Sequence, residues 1–415
     1  MDQATPEEDT SAKAVKPARV ALNVLALCFA LSVAGRGLGE SFTVFLLPIS
    51  ESFGWDRAQV VSVYSLTALA GGLAAPLVGR LFDRSGPRIV YSLGMLLLGG
   101  AFLVAAHAQK LWQFQLSLGL CVGLGIAFIG NVPNSILLGR WFGPRLPTAM
   151  AILYSATGAG VLILLPASQV LIDHVGWRGA YQIFGICALA LLLPLLILPW
   201  RLFSTGSPHL EKSVAADLVD EGWTLLTAMR HHAFWALFST FFFTSIGMYA
   251  ISPQIVAYLI DAGFQPLQAA TAWGFSGVVL LFGMLGVSWL DGLIGRRPAV
   301  LLSYAISIAG IVMLWALQWY PNYWLLTGFV VCFGSMIGSR GPLITATAMK
   351  IFRGERVGTI YGTITIGTGL GSALGSWGGG LIHQWSHSYD PLIAFSLMAV
   401  VLGMIPFLAV PALRR

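Results

Sequence analysis

Runs of mainly apolar residues, each long enough to cross a bilayer, fill most of the chain and restrict its fold more than any other feature. A spanning helix needs about 20 such residues. Twelve candidate runs lie near 20–49, 58–78, 89–107, 112–138, 147–171, 179–199, 233–260, 269–289, 299–318, 323–349, 357–382 and 391–411. A length of 415 residues would allow two or three soluble domains, but 57% of the residues are hydrophobic and only 10% charged. Soluble domains carry about 25% charged residues. The fold class expected is therefore an all-α polytopic membrane protein, with 48 glycines available for close helix packing.

Basic residues orient the runs, because loops on the cytoplasmic side collect Lys and Arg. With the N-terminus inside, eighteen of the 23 basic residues fall in inner loops and tails, among them Arg80, Arg84, Arg88, Arg140, Arg145, Arg296, Arg297, Lys350 and Arg356. Arg57, Lys110 and Arg178 fall outside, and Arg36 and Arg340 lie within apolar runs. Both termini are expected in the cytoplasm, and the chain in the cytoplasmic (inner) membrane. Residues 1–19 read as a polar, disordered N-terminus rather than a signal peptide, because they start acidic and lead into an overlong apolar run. The basic residues make no patch of the kind that binds nucleic acid. Cys28, Cys121, Cys187 and Cys332 read as small apolar side chains, with no metal spacing.

The polar stretch 200–232 divides the chain into a six-helix bundle at 20–199 and another at 233–411, followed by a short tail at 412–415. The two halves echo each other. Arg145, Thr148, Gly158 and Gly160 recur 211 residues later as Arg356, Thr359, Gly369 and Gly371, and Pro133 and Pro342 sit in the fourth and tenth runs. Such parallel repeats suit a carrier whose site lies at the midplane between two halves.

Between the second and third runs the sequence reads GRLFDRSGPR (79–88), with the pattern G-x-x-x-D-R-x-G-x-R. It resembles the signature of the major facilitator superfamily, whose fold has twelve helices in two pseudo-symmetric bundles. The resemblance implies that Gly79, Asp83, Arg84, Gly86 and Arg88 form a conformational latch on the cytoplasmic side. WLDGLIGRR (289–297) is a weaker echo in the second half. The stretches ESFGWDRAQVVSVYSL (51–66), RWFGPRLPTAMA (140–151), GWRGAYQIFG (176–185) and SRGPLITATAMKIF (339–352) resemble the monocarboxylate and oxalate–formate branch, although the eighth run has no charge. The signals of proton-coupled drug antiporters are missing from the fourth and fifth runs.

The sharpest clue to function is charge inside the membrane. An arginine at the centre of a spanning helix costs about 2.5–3.5 kcal/mol on insertion scales, so intramembrane charges face cavities or one another. Arg36 and Glu40 stand one helical turn apart in VAGRGLGES (33–41), where they can pair as i and i+4 neighbours. Arg340, in IGSRGPL, has no acidic residue within a turn or two. Arg36 and Arg340 are expected to bind an organic anion, since a guanidinium grips a carboxylate with two donors. Glu40 is expected to carry a coupling proton. The structural alternatives are an Arg36–Glu40 pair and a partner for Arg340 on another helix.

Tyr64, Asn131, Asn134, Tyr154, Tyr249, Gln254, Trp273 and Tyr361 are further candidates for lining a substrate cavity. Trp55, Trp112, Trp177, Trp200 and Trp324 fall near span ends, where tryptophan anchors helices at the interface. No nucleophile–base pair, phosphate loop or metal cluster is readable, so an enzyme, a cofactor and a metal are not expected. The function expected is secondary transport of a small organic anion with a coupled proton or by exchange, in a monomer embedded in lipid. A carrier for a neutral or amphipathic metabolite, or a sensor of the same fold, is the alternative.

Overall fold

The apolar runs become helices because hydrocarbon offers the backbone no hydrogen-bond partner, so each segment must satisfy its own N–H and C=O groups. In the computed structural model, residues 7–142, 146–206, 223–352, 357–410 and 413 are described, and among them all regular structure is helical. The first half contains α1 (Glu7–Glu40), α2 (Phe42–Phe53), α3 (Arg57–His107), α4 (Leu111–Phe114), α5 (Val122–Ile129), α6 (Asn131–Phe142), α7 (Leu146–Ile197) and α8 (Trp200–Ser204). The second contains α9 (Leu225–Arg230), α10 (His232–Ile251), α11 (Ile255–Asp261), α12 (Pro266–Ile294), α13 (Arg296–Ala316), α14 (Tyr323–Phe329), α15 (Gly341–Ile351), α16 (Val357–Ser386) and α17 (Asp390–Ala409). Helix α1 starts at Glu7, ahead of the apolar edge expected near Val20. Of the stretch expected as a linker, 200–232, the part 207–222 lies outside the described residues.

Among the described residues, nine helical stretches are long and apolar enough to cross a membrane. One of them, Thr148–Ile197, has 50 residues and is divided at Gly176, which gives room for two of the expected runs. The expected tenth run is broken by a π-helical segment at Val330–Gly334 and by a turn through Gly338. The eleventh, α16, is rich in glycine and threonine.

The internal repeat is visible in where the backbone turns. The chain turns inside α3 at Gly86 (φ 75°, ψ 173°), and between α12 and α13 at Gly295 (φ 84°, ψ 165°). This left-handed geometry is open to glycine without penalty. Gly176 inside α7 (φ 70°) and His387 between α16 and α17 (φ 50°) correspond in the same way. The fourth run also matches the tenth, since each holds a π-helical segment (Gln115–Cys121 and Val330–Gly334) followed by a break before its proline.

Each half buries its own hydrophobic core. The two meet where α3 crosses α16 and where α7 crosses α12. At the second crossing any Cβ on Gly158 would collide with the Gly277 carbonyl; at the first, Gly72 and Gly369 lie face to face. Small residues at both crossings let the backbones approach closely. Gly158 and Gly369 are also the repeat-related pair read from the sequence.

Two expected interfacial tryptophans are instead packed inside. Trp177 donates to Ser52 Oγ (2.9 Å) and Trp200 to the Leu195 carbonyl (2.5 Å). Each finds a protein partner for its indole N–H, which removes the reason to sit at the interface. Trp112 and Trp324 are exposed, as expected of anchors.

Candidate functional site

Helix α1 reaches the centre of the fold because its glycines let it press against two neighbours. A Cβ on Gly37 would sit 2.8 Å from the Gly160 carbonyl of α7, and one on Gly35 2.8 Å from Ile129 of α5. These contacts leave Arg36 and Glu40 on the remaining face, both partly exposed.

Four tyrosines converge on that face from both halves. The Tyr64 hydroxyl, on α3, donates to Glu40 Oε2 at 3.0 Å. The Tyr249 hydroxyl, on α10, stands beside the Arg36 guanidinium, with Tyr154 of α7 also close to it. Tyr361 of α16 neighbours Tyr154 and shares a 2.6 Å hydrogen bond with Thr345. The rings of Tyr64 and Tyr249 face each other across the two halves with centroids 6.4 Å apart, and Phe42 lies 5.8 Å from Tyr64.

Arg36 makes no ion pair with Glu40 within 4.0 Å. Among the described residues, the ion pairs within 4.0 Å are Arg57–Asp261 and Arg296–Asp291. The Nε of Arg36 is buried without a hydrogen-bond partner. The arrangement offers a guanidinium that is hydrogen-bonded to the Tyr249 hydroxyl but keeps an unpaired Nε donor, a carboxylate held by a phenol, and an aromatic wall.

Arg340 is placed elsewhere. It is 3% exposed and turned into the core of the second half. Its Nε donates to Ser303 Oγ (2.8 Å), its Nη2 to the Ser303 carbonyl (2.6 Å) and to Ser307 Oγ, and its Cζ lies 4.0 Å above the Tyr304 ring. The structure does not bring Arg340 together with Arg36: α13 holds it through Nε and Nη2, while its Nη1 is buried without a hydrogen-bond partner.

The remaining candidates also separate. Asn134 is fully buried in a polar knot with Tyr91 and Ser32, and Asn131 is exposed. Trp273 is buried and stacks on Phe329. Gln254 is buried at a 3-10 turn (Ser252–Gln254) between α10 and α11, and neither atom of its amide has a partner. In the GRLFDRSGPR loop, Arg84 and Arg88 are exposed, Arg88 donates to the Leu196 carbonyl (3.1 Å), and Gly79 approaches Val132. The side chain of Asp83 lies outside the described residues. Its counterpart Asp291 pairs with Arg296 at 3.6 Å.

The model of the Major Facilitator Superfamily matches residues 25–376. The chain belongs to the major facilitator superfamily. It is 26% identical to the uncharacterized MFS-type transporter YcxA of Bacillus subtilis (strain 168), over 93% of this chain and 95% of that protein. It is 25% identical to monocarboxylate transporter 12 of Homo sapiens, over 85% of this chain and 70% of that one. With monocarboxylate transporter 4 of Rattus norvegicus it shares 26% over 86% and 76%. A bacterial homolog of the human lysosomal transporter Spinster, crystallised inward-facing and unoccupied, has the same fold. The TM-score is 0.70, at 15% identity over 95% of this chain and 98% of that one.

This major facilitator protein is thus a secondary transporter and not an enzyme. Its central tyrosines were legible as isolated polar residues. Their convergence was not, because it depends on how α3, α7, α10 and α16 meet. Arg57, Asp261 and Tyr389, which join the halves at one end, were not among the sequence candidates. Arg57 had counted only as an outer-loop charge.

Proposed function

We propose that this carrier moves a small monocarboxylate together with a proton across the cytoplasmic membrane by alternating access. The observation that carries this reading is Arg36, partly exposed among tyrosines, with no ion pair to Glu40. A substrate carboxylate can take two donors of the guanidinium. With Glu40 ionised, the central cluster is neutral, and an entering anion leaves it with an excess negative charge in a low-dielectric site. A proton on Glu40 restores neutrality, so anion and proton bind best together. The monocarboxylate transporters among the relatives support this substrate class. The eighteen basic residues expected inside support twelve spans with both termini in the cytoplasm.

The separation of Arg36 from Glu40 also favours a second reading, a zwitterionic substrate. Its carboxylate would meet Arg36, while its ammonium would meet Glu40 and the faces of Tyr64 and Tyr249. Such a substrate is neutral overall and needs no proton.

Counterflow in proteoliposomes separates the two readings. For proton symport, Glu40→Gln mimics the protonated state, so exchange of monocarboxylates persists while accumulation driven by a pH gradient is lost. For a zwitterion, the same variant loses exchange altogether. If Arg36→Lys and Arg36→Ala both exchange carboxylates at the unaltered rate, neither reading stands.

A further inference from the structure

At the end of the fold opposite the GRLFDRSGPR loop, three charged or hydroxylated side chains from the two halves close into a ring. Arg57, the first residue of α3, pairs through Nη2 with Asp261 Oδ2 of α11 at 2.7 Å. Its Nη1 donates to the Tyr389 hydroxyl, which in turn donates to Asp261 Oδ2 at 2.9 Å. Arg57 is 19% exposed and Asp261 41%. Beside the ring, Gln384 donates to Asp56 Oδ2 at 2.7 Å. Beneath it, α16 packs on α3 so closely that a Cβ on Gly380 would lie 3.0 Å from the Ala58 Cα, and Ser65 and Ser376 share a 2.6 Å hydrogen bond.

Above the centre of the fold, side-chain contacts between the halves run from the Arg57 ring through Ser65–Ser376, and at the centre the Tyr249 hydroxyl is hydrogen-bonded to Arg36.

We propose that Arg57, Asp261 and Tyr389 form the external latch of the transport cycle, which closes the outer mouth in the inward-facing state and must break before substrate enters from outside. The proposal rests on the alternating-access reading above, but not on the identity of the substrate, since none of the three residues touches the Arg36 cluster. Arg57 is the hub. It is the sole first-half member of the ring and bonds to both second-half members. Its guanidinium can hold a carboxylate and a hydroxyl at once because its donors diverge in one plane. The ring is partly exposed, so solvent weakens it. That suits a contact broken and remade in every turnover.

The test uses the full-length carrier in right-side-out vesicles, with Ser65→Cys introduced below the latch as the reporter. A membrane-impermeant thiol reagent is added outside, and the chain without Ser65→Cys corrects for the four native cysteines. Asp261→Asn and Tyr389→Phe are each expected to raise the labelling rate about fivefold or more, the effect of losing one or two such contacts on a two-state ratio. Arg57→Asp is expected to raise it further, and Arg57→Asp combined with Asp261→Arg to restore protection. Rescue by the swap cannot come from misfolding. Unchanged labelling in Asp261→Asn and Arg57→Asp, with substrate binding intact, would overturn the latch. Altered labelling with no carboxylate exchange at all would leave the latch in place and remove the proposed substrate class instead.

Discussion

Tyr64 donates its hydroxyl proton to Glu40 across the gap between α3 and α1, so the carboxylate of the central cluster is held by a phenol rather than by the arginine one turn before it. This bond holds Glu40 out of an ion pair with Arg36, whose Nε stays without a partner. Tyr64→Phe is therefore expected to weaken substrate binding without unfolding the protein. A hydrogen bond of this type contributes about 0.5–1.5 kcal/mol, and more when one partner is charged. The expected result is a severalfold rise in KM with little change in thermal midpoint. A pure packing role for Tyr64 predicts no such split, because phenylalanine fills the same space.

Arg340 is expected to behave as a structural residue. Removing it in Arg340→Ala takes a charged donor from the Ser303 and Ser307 hydroxyls and from the Ser303 carbonyl, which keeps the Ser307 hydroxyl as a donor, and empties a buried site. Each hydrogen bond to a charged group that is lost costs about 1.5–3 kcal/mol. A large fall in the thermal midpoint of the purified protein is expected, with substrate affinity preserved in whatever fraction remains folded. A well-folded Arg340→Ala protein that no longer binds substrate would place Arg340 in the site after all.

How much of this was legible in the sequence depends on the length scale of each feature. The apolar runs are local patterns, and among the described residues nine helical stretches long and apolar enough to span stand on them, while the tenth run is broken at Val330–Gly334 and Gly338. Arg36 and Glu40 were equally conspicuous, because charge in an apolar run stands out. Arg340 was conspicuous for the same reason, but its partners are hydroxyls and a carbonyl on α13, and serines carry no such signal. The Arg57–Asp261–Tyr389 ring was hidden for a different reason. Its members lie at span ends, where charged and aromatic residues are ordinary, and only the meeting of α3, α11 and the start of α17 makes them a unit.

Gln254 is expected to make the present conformation less stable than it could be. Both amide atoms are buried without partners, beside a cavity of about 10 Å³ lined also by Tyr258, Leu314 and Tyr389. A cavity of that size holds about one water at most. Gln254→Leu removes the unpaired amide and keeps the volume, so it is expected to raise the thermal midpoint and to slow external labelling of the Ser65→Cys reporter. A lower midpoint would show that the amide has a polar partner worth keeping.

External acid is expected to open the latch through His383. Its Nε2 lies 3.5 Å from Arg57 Nη1 near the C-terminal end of α16. The groups around it are Arg57 and Asp56 from the first half, and Asp261, Gln384, His387 and Tyr389 from the second. Burial lowers its pKa below the ordinary value of 6.5, and the charge of Arg57, with a smaller contribution from His387, pushes the same way against Asp261. Opening exposes the ring to water and draws it away from Arg57, which brings its pKa back toward 6.5. A base whose pKa is depressed in the closed state favours that state fully above 6.5, and the preference fades as pH falls below it. Labelling of the Ser65→Cys reporter should therefore be flat above neutrality and rise as external pH drops through 6.5. The rise should disappear in His383→Gln with Arg57 and Asp261 intact. If His383→Gln keeps the full acid response, the proton acts elsewhere, and the external ring is a latch without a pH sensor.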